Sequence, residues 1–195
     1  MVTCRTIKSG LHRKNKIESM ELIKNKVAES GIITLDLEQF IPKEESIAIF
    51  DLRPFLFREM ILREKDYRAA LTEHDWKQYE GKHTGIICSV DAIIPMWAFM
   101  LAANYLQPVV ASVHYGGAEE VKKECIIRGI EAIDLDAYTD KRVVLKGCGE
   151  VPIPQTAYVM ATAKLRPVVK SIMYGEPCST VPIYKQAVTP KKENA

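Results

Sequence analysis

What is missing from this sequence narrows its chemistry first. Neither GxGxxG nor GxxxxGKS/T occurs, so there is no glycine-rich loop whose backbone would cradle phosphates, and no nucleotide cofactor is expected. GxSxG is absent too, which removes the strand-to-helix elbow of an α/β hydrolase. No CxxC and no HExxH is present, so a metal site would have to be assembled from distant parts of the chain. Charge of one sign is not in excess. The net is +2, and residues 1–19 alone hold +4 (Arg5, Lys8, Arg13, Lys14 and Lys16 against Glu18), which leaves about −2 for the rest. That balance gives no electrostatic reason to expect nucleic acid as a partner.

Long apolar runs are scarce as well. Residues 92–113 carry no charge, but Pro95 and Pro108 cut the run and Asn104 and Gln107 interrupt it. The helical part is about 13 residues, short of the ~20 that cross a bilayer, so no membrane association is expected. Residues 1–19 contain no apolar core of a secretory signal. They are expected to be an unstructured leader or an upstream extension, with Met20 as the initiator. Five cysteines, an odd number without a secretion signal, argue for reduced thiols and a cytoplasmic setting rather than a disulfide framework.

What the chain does contain is a repeat. Residues 95–116 (PMWAFMLAANYLQPVVASVHYG) and 154–175 (PQTAYVMATAKLRPVVKSIMYG) align at an offset of 59, with 10 of 22 positions identical. Pro95/Pro154, Ala98/Ala157, Ala102/Ala161, Leu106/Leu165 and Tyr115-Gly116/Tyr174-Gly175 are among them. Upstream, each copy carries a short apolar strand ending in cysteine, GIIC to Cys88 and RVVLKGC to Cys148. Two copies are too few for a solenoid and indicate two related parts of one domain.

Periodicity predicts strands at 84–88, 109–114, 142–146 and 168–173 and helices at 95–107, 117–128 and 154–166. That alternation is the pattern of βαβ units. Before them, residues 20–29 read as a short amphipathic helix. IITLDL (32–37) and SIAIFDL (46–52) read as two strands of a hairpin, and residues 65–79 as a helix. Residues 134–140 read as a turn. After Gly175, the three prolines 177, 182 and 190 argue against regular structure, and residues 187–195 are expected to be a flexible tail. The expected fold is α/β, three-layered. A mostly parallel central sheet contains both repeats (84–116 and 142–175) within one domain over 20–186, and an N-terminal α+β addition packs on it.

Such sheets bind ligands beyond the carboxyl ends of their strands, near helix N-termini. Each repeat places a cysteine and an acid there: Cys88 with Asp91, and Cys148 with Glu150. The end of the last strand would bring Cys178 to the same edge, and the matching point in the first copy brings His114. The expected metal site is therefore Cys88, Cys148 and Cys178 as thiolates, Asp91 as fourth ligand or partner of a ligand, and His114 behind it. The plainer readings are that buried cysteines simply pack and that His114, whose counterpart is Met173, is a core residue. Cys125, in mid-helix, reads as core, and His83 as a solvated loop residue. Thiol chemistry without a metal, at Cys88 or Cys148 near a helix N-terminus, is a second reading. A non-catalytic scaffold is a third.

The stretches LREKDYRAAL, EHDWKQYEGK, CSVDAIIPMWAFML and LRPVVKSIMYGEPCSTVPIYK resemble an uncharacterised bacterial family, found mostly in Bacteroidetes and catalogued as domain of unknown function number 2480. The resemblance covers about residues 20–185. It carries no activity, but it implies a link to iron–sulfur cluster assembly, with assembly proteins as partners. Zinc, iron or an iron–sulfur cluster are the cofactors that a thiolate-centred site would take.

Overall fold

The computed structural model describes residues 31–146, 149, 151–176 and 179–187. The predicted helix at 20–29 and the tail beyond 187 lie outside these. The elements in chain order are β1 (Ile32–Leu35), β2 (Ile47–Asp51), a small hairpin of β3 (Leu56–Phe57) and β4 (Ile61–Leu62), and α1 (Glu64–Glu73). The two repeats and their link follow: β5 (His83–Ile87), α2 (Met96–Leu106), β6 (Ser112–Tyr115), α3 (Ala118–Glu131), β7 (Arg142–Leu145), α4 (Gln155–Leu165), β8 (Ser171–Glu176) and β9 (Ser179–Lys185). No helix among the described residues is long and apolar enough to cross a membrane.

The fold is α/β with mostly parallel pairing, as the alternation predicts. Apart from the β3–β4 hairpin, however, the strands divide between two sheets instead of sharing one. One runs β2-β5-β6, all parallel; the other runs β1-β7-β8-β9, parallel except for β9. The expected β1–β2 hairpin does not form. β1 pairs with β7 and β2 with β5, so the N-terminal strands are integral parts of the two sheets and not an added layer. The reason is a second repeat, at an offset of 15: IITLDL and IAIFDL match at Ile32/Ile47, Asp36/Asp51 and Leu37/Leu52. Equivalent sequences occupy equivalent places, each beside its own βαβ unit. Asp36 follows β1 and Asp51 ends β2, and each accepts the N–H two residues on, of Glu38 and of Arg53.

Within the units the equivalence is close. Pro95 and Pro154 precede α2 and α4 with nearly the same backbone (φ −64°, ψ 141° and φ −66°, ψ 142°). Proline suits this point because it has no N–H to leave unpaired at a helix start. Ala98, Ala102 and Leu106 of α2, and Ala157, Ala161 and Leu165 of α4, are completely buried. Small residues at 4-residue spacing let each helix lie close on its sheet. The prolines after these helices begin a turn: Leu106 O accepts the N–H groups of both Val109 and Val110, and Leu165 O those of Val168 and Val169. That turn consumes the residues read as strand starts, so β6 and β8 begin three residues later than predicted.

Helix α3 joins the two units. Its Ile126 and Ile130 complete the core over β1, β7 and β8, with Leu35, Val143, Leu145 and Ile172. Its Val121 lies under Gly85 of β5, where a Cβ would stand 2.2 Å from Gly116 O and 2.9 Å from Val121 Cγ2. The other core gathers Phe50, Leu52, Tyr67, Leu71 and Ile86 around α2, with Phe50 stacked on Phe55 and Trp76. Helix α1 ends at Glu73, earlier than the predicted 79, because Asp75 caps a separate 3-10 turn by accepting Lys77 N–H. Beyond β8, Pro182 sits inside β9. It is tolerated because β9 is an edge strand and the ladder slips between Ile172 and Met173, opposite that proline.

Candidate functional site

Parallel pairing sets His83 opposite Ser112, at the first positions of β5 and β6. Side chains two apart on a strand share a face, so Ser112 and His114 project together. That face is the one covered by α3, which contributes Cys125. Ser112 Oγ lies 2.7 Å from His83 Nδ1 and 2.6 Å from His114 Nε2, and Cys125 Sγ is 3.8 Å from the same His114 nitrogen. One ligand atom from each of His83, His114 and Cys125 lies within 4.8 Å of the other two.

A hydroxyl has one proton to give. At most one of the two ring nitrogens, His83 Nδ1 or His114 Nε2, can therefore accept from Ser112, and at least one must donate to it. Burial lowers the His114 pKa, and the Arg128 and His83 charges lower it further, with Glu124 opposing. His114 is accordingly neutral near pH 7, the form that offers a lone pair. Burial also raises the Cys125 pKa, against the Ser112 hydrogen bond and Arg128, so the sulfur rests as a thiol until something displaces its proton.

Of the residues expected to form a metal site, Cys88 and Asp91 stand apart from this cluster. Cys88 follows β5 on the opposite face, against the Phe50–Ile86 core, and its thiol donates to Val90 O at 3.5 Å. Asp91 is exposed in the next loop. His114 is the expected residue that does join a cluster, with different companions. Cys148, Cys178 and Glu150 lie outside the described residues. His83 is not a loop residue: it begins β5, half-buried. Cys125, read as core, is half-buried with its sulfur beside His114.

The cluster also sits at the amino edge of its sheet, because His83 and Ser112 open their strands; the expected place was the carboxyl edge. The cysteines that recur between the repeats, Cys88 and Cys148, both point to the carboxyl edge. The second unit has Arg142 where the first has His83, and Met173 where it has His114, while Cys125 belongs to the connecting helix, which has no counterpart among the described residues. The available signal was the spacing Ser112-x-His114 on one strand face beside a histidine that opens the neighbouring strand.

Residues 21–186 match the family model described as Protein of unknown function (DUF2480). The chain belongs to this family. No curated protein and no solved structure matches it. Both βαβ units, the lead strands β1 and β2 and all four cluster residues fall inside the DUF2480 match.

Proposed function

We propose that this DUF2480 protein binds a transition-metal ion of the zinc class through His83, His114 and Cys125, with Ser112 beside them. The observation that carries the reading is the convergence of two imidazoles and one thiol, from β5, β6 and α3, to within 4.8 Å. Nitrogen and sulfur donors together select borderline and soft metals such as zinc, copper or iron over magnesium or calcium. Three protein donors leave a fourth position for Ser112, water or a second ligand, the pattern of sites that exchange or act rather than merely brace a fold. Metal entry releases the Cys125 proton and breaks the Ser112 bridge between the two rings. A link to iron–sulfur assembly, which the family resemblance implies, would make this site a holder of iron or zinc rather than of a cluster, since among the described residues it has only one thiol.

The test is metal content of the full chain after equilibration with zinc and removal of excess, repeated with cobalt to detect thiolate-to-metal charge-transfer absorption. The expected result is one metal per chain, lost in Cys125→Ser and retained in Cys88→Ser. Zinc should also raise the melting temperature of the parent and not of Cys125→Ser. Metal that survives Cys125→Ser but is lost with Cys88→Ser, Cys148→Ser or Cys178→Ser, with acid-labile sulfide present, would replace this reading by a thiolate-held cluster.

A further inference from the structure

The duplication provides an internal comparison. Each unit has a depression between its helix and the end of its sheet, floored by equivalent residues. In the first unit it is about 270 Å³, walled by Ile86, Phe99, Met100 and Tyr115. In the second it is a cleft of about 980 Å³, with Leu145, Tyr158, Val159 and Tyr174 at the same positions. Three differences accompany the larger volume. Val159 replaces the longer Met100. Lys146 takes the place equivalent to Ile87. Strand β9, which has no counterpart among the described residues, adds Ile183 as a further wall.

The volume is at the upper end of small-molecule sites, which are mainly apolar with a few placed polar groups. The apolar groups here stand open to solvent: Val159 is 68% exposed, Ile183 52% and Val151 40%. Apolar side chains gathered in a concavity mark a surface that binding covers.

The charges in the cleft decide what fits. Lys146 Nζ is 2.6 Å from Asp36 Oδ2. The carboxylate of Glu38 accepts the Val151 N–H at 3.2 Å. In the first unit the matching Asp51 accepts from Ser89 N–H and Ser89 Oγ–H and faces no lysine. Among the described residues, Lys146 is paired with Asp36 and also has Glu38 and Glu176 near it, so an anionic ligand would meet carboxylates on each approach to Lys146. Instead, the Lys146–Asp36 pair presents a donor next to an acceptor. The Tyr158 and Tyr174 rings, edge to face at 5.5 Å, offer flat apolar contact.

We infer that the cleft between α4, β8 and β9 binds a neutral, flat, largely apolar small molecule carrying one donor–acceptor group, such as an aromatic amide or a phenol. The site shares no residue with the His83–His114–Cys125 cluster, so this inference and the metal reading stand or fall separately.

Three probes with one ring system and different head groups test it: a naphthamide (neutral), a naphthoate (anion) and a naphthamidine (cation). Each is titrated into the isotope-labelled full chain and followed by amide NMR. The expected result is saturable shifts at Lys146, Val159, Thr162 and Ile183 with the naphthamide, and binding of the naphthoate weaker by about tenfold, the cost of one poorly met charge. Val159→Trp, at an exposed helix position, fills the cleft and should weaken naphthamide by about tenfold or more, while Met100→Trp at the equivalent place leaves it unchanged. Tightest binding by the naphthoate or the naphthamidine, indifference to Val159→Trp, or the absence of shifts at these amides with all three probes would overturn the assignment. So would shifts at these amides on concentrating the protein alone, which would make a second copy the occupant.

Discussion

Thr84 sits in the middle of the β2-β5-β6 sheet, between Ala48 and Val113. It is completely buried, and its hydroxyl has no hydrogen-bond partner among the described residues. Replacing it by valine exchanges that hydroxyl for a methyl of nearly the same size and keeps the β-branched shape that suits a strand. The hydroxyl's desolvation is uncompensated in the folded chain and absent once the chain unfolds into water. Removing it should stabilise the protein by about 1–2 kcal/mol. For a domain of this length that corresponds to a rise of roughly 2–4 °C in melting temperature per kcal/mol. Urea unfolding is the assay, and the midpoint should move up with an unchanged slope. Thr84→Ser is the companion: it retains the unpaired hydroxyl and deletes a packed methyl, so it should lose about 1 kcal/mol. The two variants should fall on opposite sides of the parent. A Thr84→Val protein with an equal or lower midpoint would refute the reasoning and show that the hydroxyl is satisfied.

The other expectations test separate parts of the molecule. A Cβ on Gly129 would lie 2.4–2.8 Å from Phe40 atoms, so Gly129→Ala should cost about 1–3 kcal/mol in urea unfolding, partly recovered when Phe40 is trimmed to leucine. His74 has a lowered pKa because it is desolvated, Asp75 opposing, and it packs among Phe50, Phe55, Trp76 and Tyr79. Between its lowered folded pKa and the unfolded value near 6.5, the unfolded chain holds more protons. Its contribution is therefore complete above that unfolded value and is lost as pH falls toward the folded one. His74→Phe should flatten the acid side of the stability profile, measured by urea midpoints across that range. Cys125→Ser should abolish zinc-dependent stabilisation without lowering the metal-free melting temperature by as much as a buried leucine-to-alanine change would, about 2–5 kcal/mol.

The βαβ units were legible because their signals are local and repeated: an apolar strand, a proline, and alanines at helical spacing. β1 and β2 are strands as read, and only their pairing with each other is wrong, for a physical reason. A strand's partner is not encoded in its own pattern, and two neighbours joined by a polar turn look like a hairpin whether or not each has a better partner elsewhere. The offset of 15 between IITLDL and IAIFDL was present in the chain and would have separated them. β9 was missed because proline is read as a strand breaker, while an edge with a slipped register accepts one. The His83–Ser112–His114–Cys125 cluster depends on the register between two strands and on the rotation of a helix that links two sheets; neither is fixed by sequence spacing. Recurrence pointed to Cys88 and Cys148, but of the clustered side chains only Ser112 recurs, as Ser171, while His83 and His114 are replaced by Arg142 and Met173.

The exchange of lead strands has a consequence for how the molecule is made. β1 emerges first and pairs with β7, so that Asp36 and Lys146, 110 residues apart, end up in contact. β2 meanwhile pairs with the nearer β5. The half that contains β1 is therefore interrupted by the whole of the other half. The first unit has all its strands once residue 115 is reached, while β1 must wait with an open edge until most of the chain has been synthesised. Pairing across so long a loop is slow relative to local structure. Cutting the chain between the two repeats would not release two domains; it would leave the second repeat without its first strand, and the fragments would have to find each other again.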